Sequence, residues 1–349
     1  MFEYVGVIHV HSIFSDGTGT VHEIAEAANE VNLDYLILTD HNTLRALNEG
    51  YEKWHGDTLL LVGVEINDRQ NKNHYLAMNV KKTFSTRLKA KEYVRLVKEE
   101  GGIGFMAHPF EERQNLPQYP PYPWEEWDTD DFTGIEIWNH MSEWMENLTE
   151  ENKLQLALHP LKYIIAPSKK ALSKWDEIAQ RRPVTAIGGV DAHAHKVNVL
   201  GLFEFEIFPY KVLFKSIRTH VLLDNPLKKT TFSHGIEKAK ASIYKALENG
   251  SCFISNYYHG DARGFRFFAE TENGKFEQGA TIFYRNDIKL VATLPEQAEI
   301  RLIANGKEIL RKQKTAFLEF TVTFPGVYRV EVYKREKGWI FSNHIRIIS

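Results

Sequence analysis

The chain has 349 residues, 43% of them hydrophobic, and a formal net charge of -3. That is enough to bury a sizeable core in more than one domain, or in one large barrel with an appendage. The charge balance gives no case for nucleic acid or an anionic membrane as principal partner. Cys252 is the only cysteine, which excludes an intrachain disulfide and a thiolate metal cluster, so any metal must be held by His and carboxylates.

Residues 5–10 read as a buried strand, with His9 and His11 at alternate positions and so on one side of it. Two imidazoles there are costly to bury unless something accepts their nitrogens. They are either satisfied core or strand-end histidines, or metal ligands. Thr20, with Glu23 at its third position, predicts a capped helix whose apolar stripe is Ile24, Ala27, Ala28 and Val31. A strand over 35–38 ends in Asp40 and His41, one over 59–64 ends at Glu65, and one over 75–80 is entered from His74. Residues 89–100 read as a helix stopped by Gly101 and Gly102. The apolar runs 103–107, 134–138 and 184–190 lead into His108, Asn139 and Asp191 respectively, with His193 and His195 just beyond.

Polar groups therefore gather where strands finish, as they do in parallel α/β architectures, and a barrel or a doubly wound sheet both fit. The Pro-, Trp- and acid-rich stretch 111–131 predicts a long loop over one end of the sheet, in the manner of a lid. Past about residue 260 the pattern turns to short β-type runs with turn signals at Asn305-Gly306 and Pro325-Gly326. This predicts an appended antiparallel β-sandwich, dividing the chain into 1–258 and 259–349. No apolar run is long enough to cross a bilayer and the first residues do not read as a signal peptide, so a soluble, cytoplasmic protein is expected.

Each strand-end group has an ordinary reading: an aspartate there is commonly a helix cap or turn residue, and Glu65 could sit in a salt bridge. Ordinary readings do not explain so many imidazoles and carboxylates at successive strand termini. Nitrogen and oxygen donors in that number exceed the needs of one tetrahedral ion, which points to a multinuclear centre and metal-assisted hydrolysis. Neither a Gly-x-Ser-x-Gly elbow nor a phosphate-cradling Gly-x-x-x-x-Gly-Lys is present.

Taken together, His9-Val10-His11 with Ser15-Asp16-Gly17, Thr39-Asp40-His41, Gly63-Val64-Glu65, Ala107-His108-Pro109 and Gly189-Val190-Asp191-Ala192-His193 resemble the PHP (polymerase and histidinol phosphatase) superfamily. The resemblance implies an α/β fold, a distorted (β/α)7 barrel, with two or three divalent ions (Zn, Mn or Fe) at the strand ends. By motif, one ion would take His9, His11, Glu65 and Asp191. A second would share Glu65 and add His74 and His108, and a third would take Asp16, His41 and His193. Asp40 would orient a ligand, and His195 could protonate a leaving group. For a phosphate ester, Arg113 and Lys196 are the cations the sequence brings to that face, although either could equally be a solvated surface charge. Residues 246–256 followed by the β-rich region also resemble the CehA/McbA-like branch, some members of which cleave carboxyl esters, amides or carbamates. The expected activity is a phosphoesterase acting on a small-molecule ester through a metal-bridging hydroxide. Carboxyl-ester or amide hydrolysis is the alternative, and a non-catalytic binding scaffold ranks last.

Overall fold

The computed structural model describes residues 1–113, 118–199 and 203–349, with backbone alone for 196–199 and 203–205. The fold is mixed α/β. Five strands, Val64–Ile66, Tyr75–Met78, Ile103–Met106, Gly134–Asn139 and Thr185–Gly189, form one sheet in that order. A fourteen-stranded sheet contains Thr58–Val62, Tyr35–Leu38, Phe2–Ile8, Ile217–Leu223 and Cys252–Asn256 as successive neighbours. The two sheets meet at two seams. Along one, Gly63 N donates to Leu38 O at 2.8 Å and His41 forms an isolated bridge with Glu65. Along the other, Val190 N donates to Ile8 O at 3.1 Å and Val10 bridges Ala192.

Strand alternation explains how these sheets are covered. Ile8, Ile37, Leu61, Leu76, Phe105 and Ile187, drawn from both sheets, belong to one buried cluster. Leu36, Leu38, Leu60 and Ile135 pack instead with helix residues such as Ile24, Val94 and Trp175. Strands buried on both faces read as continuous apolar runs, which is how these appear in the sequence. The helix Val21–Glu30 starts at the expected capping box, with Thr20 Oγ1 accepting from Glu23 N at 3.3 Å. The helix Lys169–Arg181 is capped by Ser168 Oγ, which accepts from Ala171 N at 3.1 Å.

Three expectations change. The strand over 59–64 breaks at Gly63, where a Cβ would lie 2.7 Å from Ala77 O; the chain switches sheets there and Glu65 lies in its own short strand. The five-stranded sheet is not uniformly parallel, because Tyr75–Met78 runs antiparallel to both neighbours. The C-terminal strands are also joined to the rest by main-chain pairing. Lys337–Ser342 pairs antiparallel with Cys252–Asn256, so one sheet runs from the N-terminal half into the β-rich region.

That region keeps its own apolar core around Phe267, Leu290, Ile300, Val330 and Ile340. Its pairings are antiparallel except for Thr281–Phe283 with Ile345–Ile348. Side chains reinforce the junction: Asn343 Nδ2 donates to Cys252 O at 2.8 Å, and the Trp138 ring meets Phe341 edge-on at 5.3 Å. No helix among the described residues is long and apolar enough to cross a membrane.

Candidate metal centre

Most of the expected donors converge, but the backbone that brings them together is not the one the strand pattern predicts. The first strand stops at Ile8, and His9 turns with φ 69° instead of continuing extended. His108 and Asp191, each just past a strand, also have positive φ, at 29° and 53°. Non-glycine residues in this region are strained, and such strain gathers where the surroundings hold a side chain in one direction for a purpose. Three separate strand ends bend this way around one point.

Glu65 sits at that point, fully buried. Its Oε2 lies 3.0 Å from His9 Nε2, 3.1 Å from His11 Nε2 and 3.5 Å from His41 Nδ1. Its Oε1 lies 2.7 Å from His74 Nδ1 and 3.5 Å from His108 Nε2. One carboxylate thus faces five imidazoles, divided between its two oxygens. Asp191 Oδ1 lies 3.4 Å from His9 Nε2 and 3.5 Å from both His11 Nε2 and His193 Nδ1. At the outer edge Asp16, 52% exposed, has Oδ1 3.3 Å from His193 Nε2 and Oδ2 3.7 Å from His41 Nε2. The site therefore opens on the Asp16 and His41 side.

Among the described residues, four overlapping groups could each hold an ion: His11, Asp16, His41 and His193; His9, Glu65 and His108; His9, His11 and Asp191; and His41, Glu65 and His74. The grouping departs from the motif assignment: His11 joins the Asp16 group as well as the Asp191 group, and His74 and His108 fall into separate groups, His108 with His9 and His74 with His41, each sharing Glu65. Among the described residues, both ring nitrogens of His11, Nδ1 of His41 and His108, and Nε2 of His74 are buried without a hydrogen-bond partner. Buried polar atoms are normally satisfied, so unspent nitrogens on several adjacent imidazoles fit divalent cations.

The electrostatics agree. Burial pulls the His9 imidazole toward neutrality, but Asp191, Glu65 and Glu136 outweigh it and hold its pKa well above the ordinary value. The same contest pushes His11 up to about 10, through Asp191 and Glu65, and His108 up to about 9. Burial opposes ionisation of Glu65 and Asp191, yet the surrounding imidazoles keep both carboxyls well below their usual range. His41 moves the other way, to about 4, because desolvation prevails there. Protons thus hold together a lattice in which cations would take the same lone pairs.

The remaining expected residues take distinct positions. Asp40 turns its oxygens to the neighbouring loop, accepting from Ser12 N at 2.7 Å, Ser12 Oγ at 2.8 Å and Ser15 Oγ at 2.7 Å. It fixes the turn that carries His11 and Asp16. His195 is exposed and stacks on His193 with ring centres 5.0 Å apart. Arg113 is not a free cation, because its guanidinium pairs with buried Glu111 and lies over the Tyr122 ring. Tyr122 in turn stacks on His74 at 5.3 Å, so the long loop does reach the site and covers His74. The Lys196 side chain lies outside the described residues.

Sequence reasoning missed Glu136. It is buried in the strand Gly134–Asn139, and its Oε1 lies 2.9 Å from His9 Nδ1. The signal was there: a single carboxylate in the otherwise apolar run Ile135-Glu136-Ile137-Trp138.

Residues 8–119 match the family described as PHP domain. No curated protein matches the chain. A two-domain protein from Bacteroides vulgatus containing a predicted PHP-like metal-dependent phosphoesterase is similar at 15% identity and a TM-score of 0.44, with 98% of this chain and 95% of that one covered. A proposed metal-dependent phosphoesterase from Bifidobacterium adolescentis aligns at 18% identity and a TM-score of 0.39, covering 58% and 92%. PsfC from Pseudomonas syringae aligns at 13% identity and 0.41, covering 71% and 90%.

Proposed function

Because residues 8–119 match the PHP domain family, we propose that the chain is a metal-dependent hydrolase, with a small phosphate ester as its leading substrate class. The observation that carries the reading is Glu65, whose two oxygens address two different sets of imidazoles while Nε2 of His74 and Nδ1 of His108 stay unpartnered. That is the arrangement expected of a carboxylate shared between ions. Zn, Mn or Fe bound there would supply Lewis acidity and a water ionised near neutral pH.

The chain's own residues do the rest. His9, His11, Glu65, Asp191, His74 and His108 hold the interior of the centre, and Asp16, His41 and His193 its open edge. Asp40 keeps the His11–Asp16 turn in register through Ser12 and Ser15. His195, exposed beside His193, is the group best situated to hand a proton to a leaving oxygen. Tyr122 and the loop around it limit water above His74. Within this reading the unit is a distorted (β/α)7 barrel over 1–258, supported by the two seams, followed by a β-rich unit over 259–349.

One observation favours a second reading. Arg113 is neutralised by Glu111, which leaves the phosphate reading in need of another cation, such as Lys196. Hydrolysis of a carboxyl ester or amide, as in the CehA/McbA-like branch, has no such need. The two readings separate in one assay. Chelator-stripped and metal-reconstituted protein is given a phosphomonoester and a carboxyl ester with the same chromogenic leaving group. Metal-dependent preference for the phosphomonoester is expected; preference for the carboxyl ester would replace the first reading with the second, and chelator-resistant turnover of both would reject the metal mechanism.

A further inference from the structure

From these contacts we infer that Glu136 is a positioning residue that sets the tautomer of His9, so that Nε2 is the atom offered to a cation. The inference deepens the metal reading above and rests on it. A carboxylate can only accept, so the 2.9 Å contact with Glu136 places a proton on His9 Nδ1 and the 3.0 Å contact with Glu65 places one on Nε2 in the cation-free chain. A cation held by Glu65 and Asp191 would displace the Nε2 proton and leave the Nδ1 proton in its bond to Glu136. The other ring nitrogen, Nε2, then faces Glu65 and Asp191 at 3.0 and 3.4 Å. Glu136 is itself fixed by its second oxygen, which accepts from His108 N at 2.8 Å and from Asn139 Nδ2 at 2.9 Å. One buried side chain thus holds the ring of His9 and the main chain at His108, two residues whose backbones have positive φ.

Gly189 makes the arrangement possible. A Cβ at Gly189 would overlap Glu136 Oε1 and lie 2.9 Å from His9 Cβ. The carboxylate and the imidazole therefore occupy the space that a side chain at 189 would take. The position tolerates only hydrogen.

Glutamine at 136 has nearly the same shape but one acceptor and one donor where glutamate has two acceptors. If its amide group faces His108 N, two donors collide, and the main-chain proton cannot move. If it faces His9, the imidazole can relieve the clash by shifting its proton to Nε2, which puts hydrogen where the cation should bind. The second outcome is the easier one. Outer partners of this kind typically change metal affinity by ~10–100-fold.

The test is a competition titration of the full chain with Zn2+ for wild type, Glu136→Gln and Gly189→Ala, with thermal melts of the cation-free proteins and 15N-imidazole spectra of the Zn2+-loaded ones. The expected result is a ~10–100-fold weaker Zn2+ affinity in both variants. Wild-type spectra should carry the His9 proton on Nδ1. Equal affinity and stoichiometry in a folded Glu136→Gln would overturn the inference. Should both variants fail to fold, the wild-type spectrum still decides, since a proton on His9 Nε2 with a bare Nδ1 overturns it. A wild-type protein that takes up no Zn2+ would instead overturn the metal reading beneath it.

Discussion

Two of the buried charge clusters among the described residues, one at the strand ends and one where the β-rich region meets the helix Lys169–Arg181, are finished differently. Around Asp176 the carboxylates and the guanidinium satisfy one another, and His344 Nδ1 is the buried nitrogen of that cluster left without a partner. Arg329 donates Nε and Nη2 to the two oxygens of Asp176 at 2.7 and 2.8 Å, and Nη1 to Glu331 at 2.5 Å. His344 Nε2 lies 2.8 Å from Asp176 Oδ1, and Tyr333 donates to Glu331 at 2.8 Å. Asp176, Arg329 and Glu331 all lie in regular helix or strand. Around Glu65, by contrast, imidazole nitrogens stay unpaired and His9, His108 and Asp191 have positive φ. A buried ion cluster that closes on itself fastens two parts of a fold. One that keeps strained backbone and unspent lone pairs is kept for a ligand.

The sharpest way to break this contrast is Glu65→Ala. It removes the shared carboxylate, so cation uptake and hydrolysis should be lost together, by more than the ~10–100-fold typical of an outer partner. Metal titration and turnover check it, and full activity would contradict the shared-carboxylate account. Asp176→Ala should act on stability alone. It leaves Arg329 buried without its bidentate partner, at a cost of ~3–5 kcal/mol read from denaturant unfolding. Cation stoichiometry in the folded fraction should match the wild type.

A third difference appears with pH. In the cation-free protein burial opposes the charge on His11 and His108, but the carboxylates around them raise their pKa values to about 10 and about 9. A raised folded-state pKa gives stability that is complete below the unfolded value, near ~6.5, and is lost as pH rises through the folded one. Tm of the cation-free protein should therefore fall from about pH 6.5 to 10, and saturating Zn2+ should flatten that slope. A flat profile without metal would count against the proton-held lattice. The smallest effect belongs to Ser12→Ala, which removes a hydroxyl that donates to Asp40 and accepts from Phe14 N, and should cost about 0.5–1.5 kcal/mol by the same unfolding measurement.

Much of the site was legible because buried strands write themselves as apolar runs, and polar residues at their ends stand out. His9, His11, Glu65, His108 and Asp191 were recognisable by residue type and position. How they converge was not: alternation along an extended strand does not describe His9, whose φ of 69° takes it out of the strand. Glu136 was legible as a lone carboxylate inside the apolar run of Gly134–Asn139, but it lies within the strand and not at its end, where the other site residues gather.

In the β-rich region Pro295 and Glu296 split what is one strand, Lys289–Ala304, which continues through a register shift between Thr293 and Ala298. The pairing of Phe253 with Ser342 joins the two parts of the chain, and contacts so distant in sequence leave no local pattern to read. Arg113 looked available because sequence spacing cannot reveal that Glu111, two residues away, takes its charge.

The most direct test of the account is to titrate chelator-stripped protein with Mn2+, counting bound ions while following turnover of a chromogenic phosphomonoester at each addition. The account predicts uptake of more than one ion per chain, with turnover rising only as they bind. Turnover at full rate without metal, or a folded chain that binds none, would contradict it.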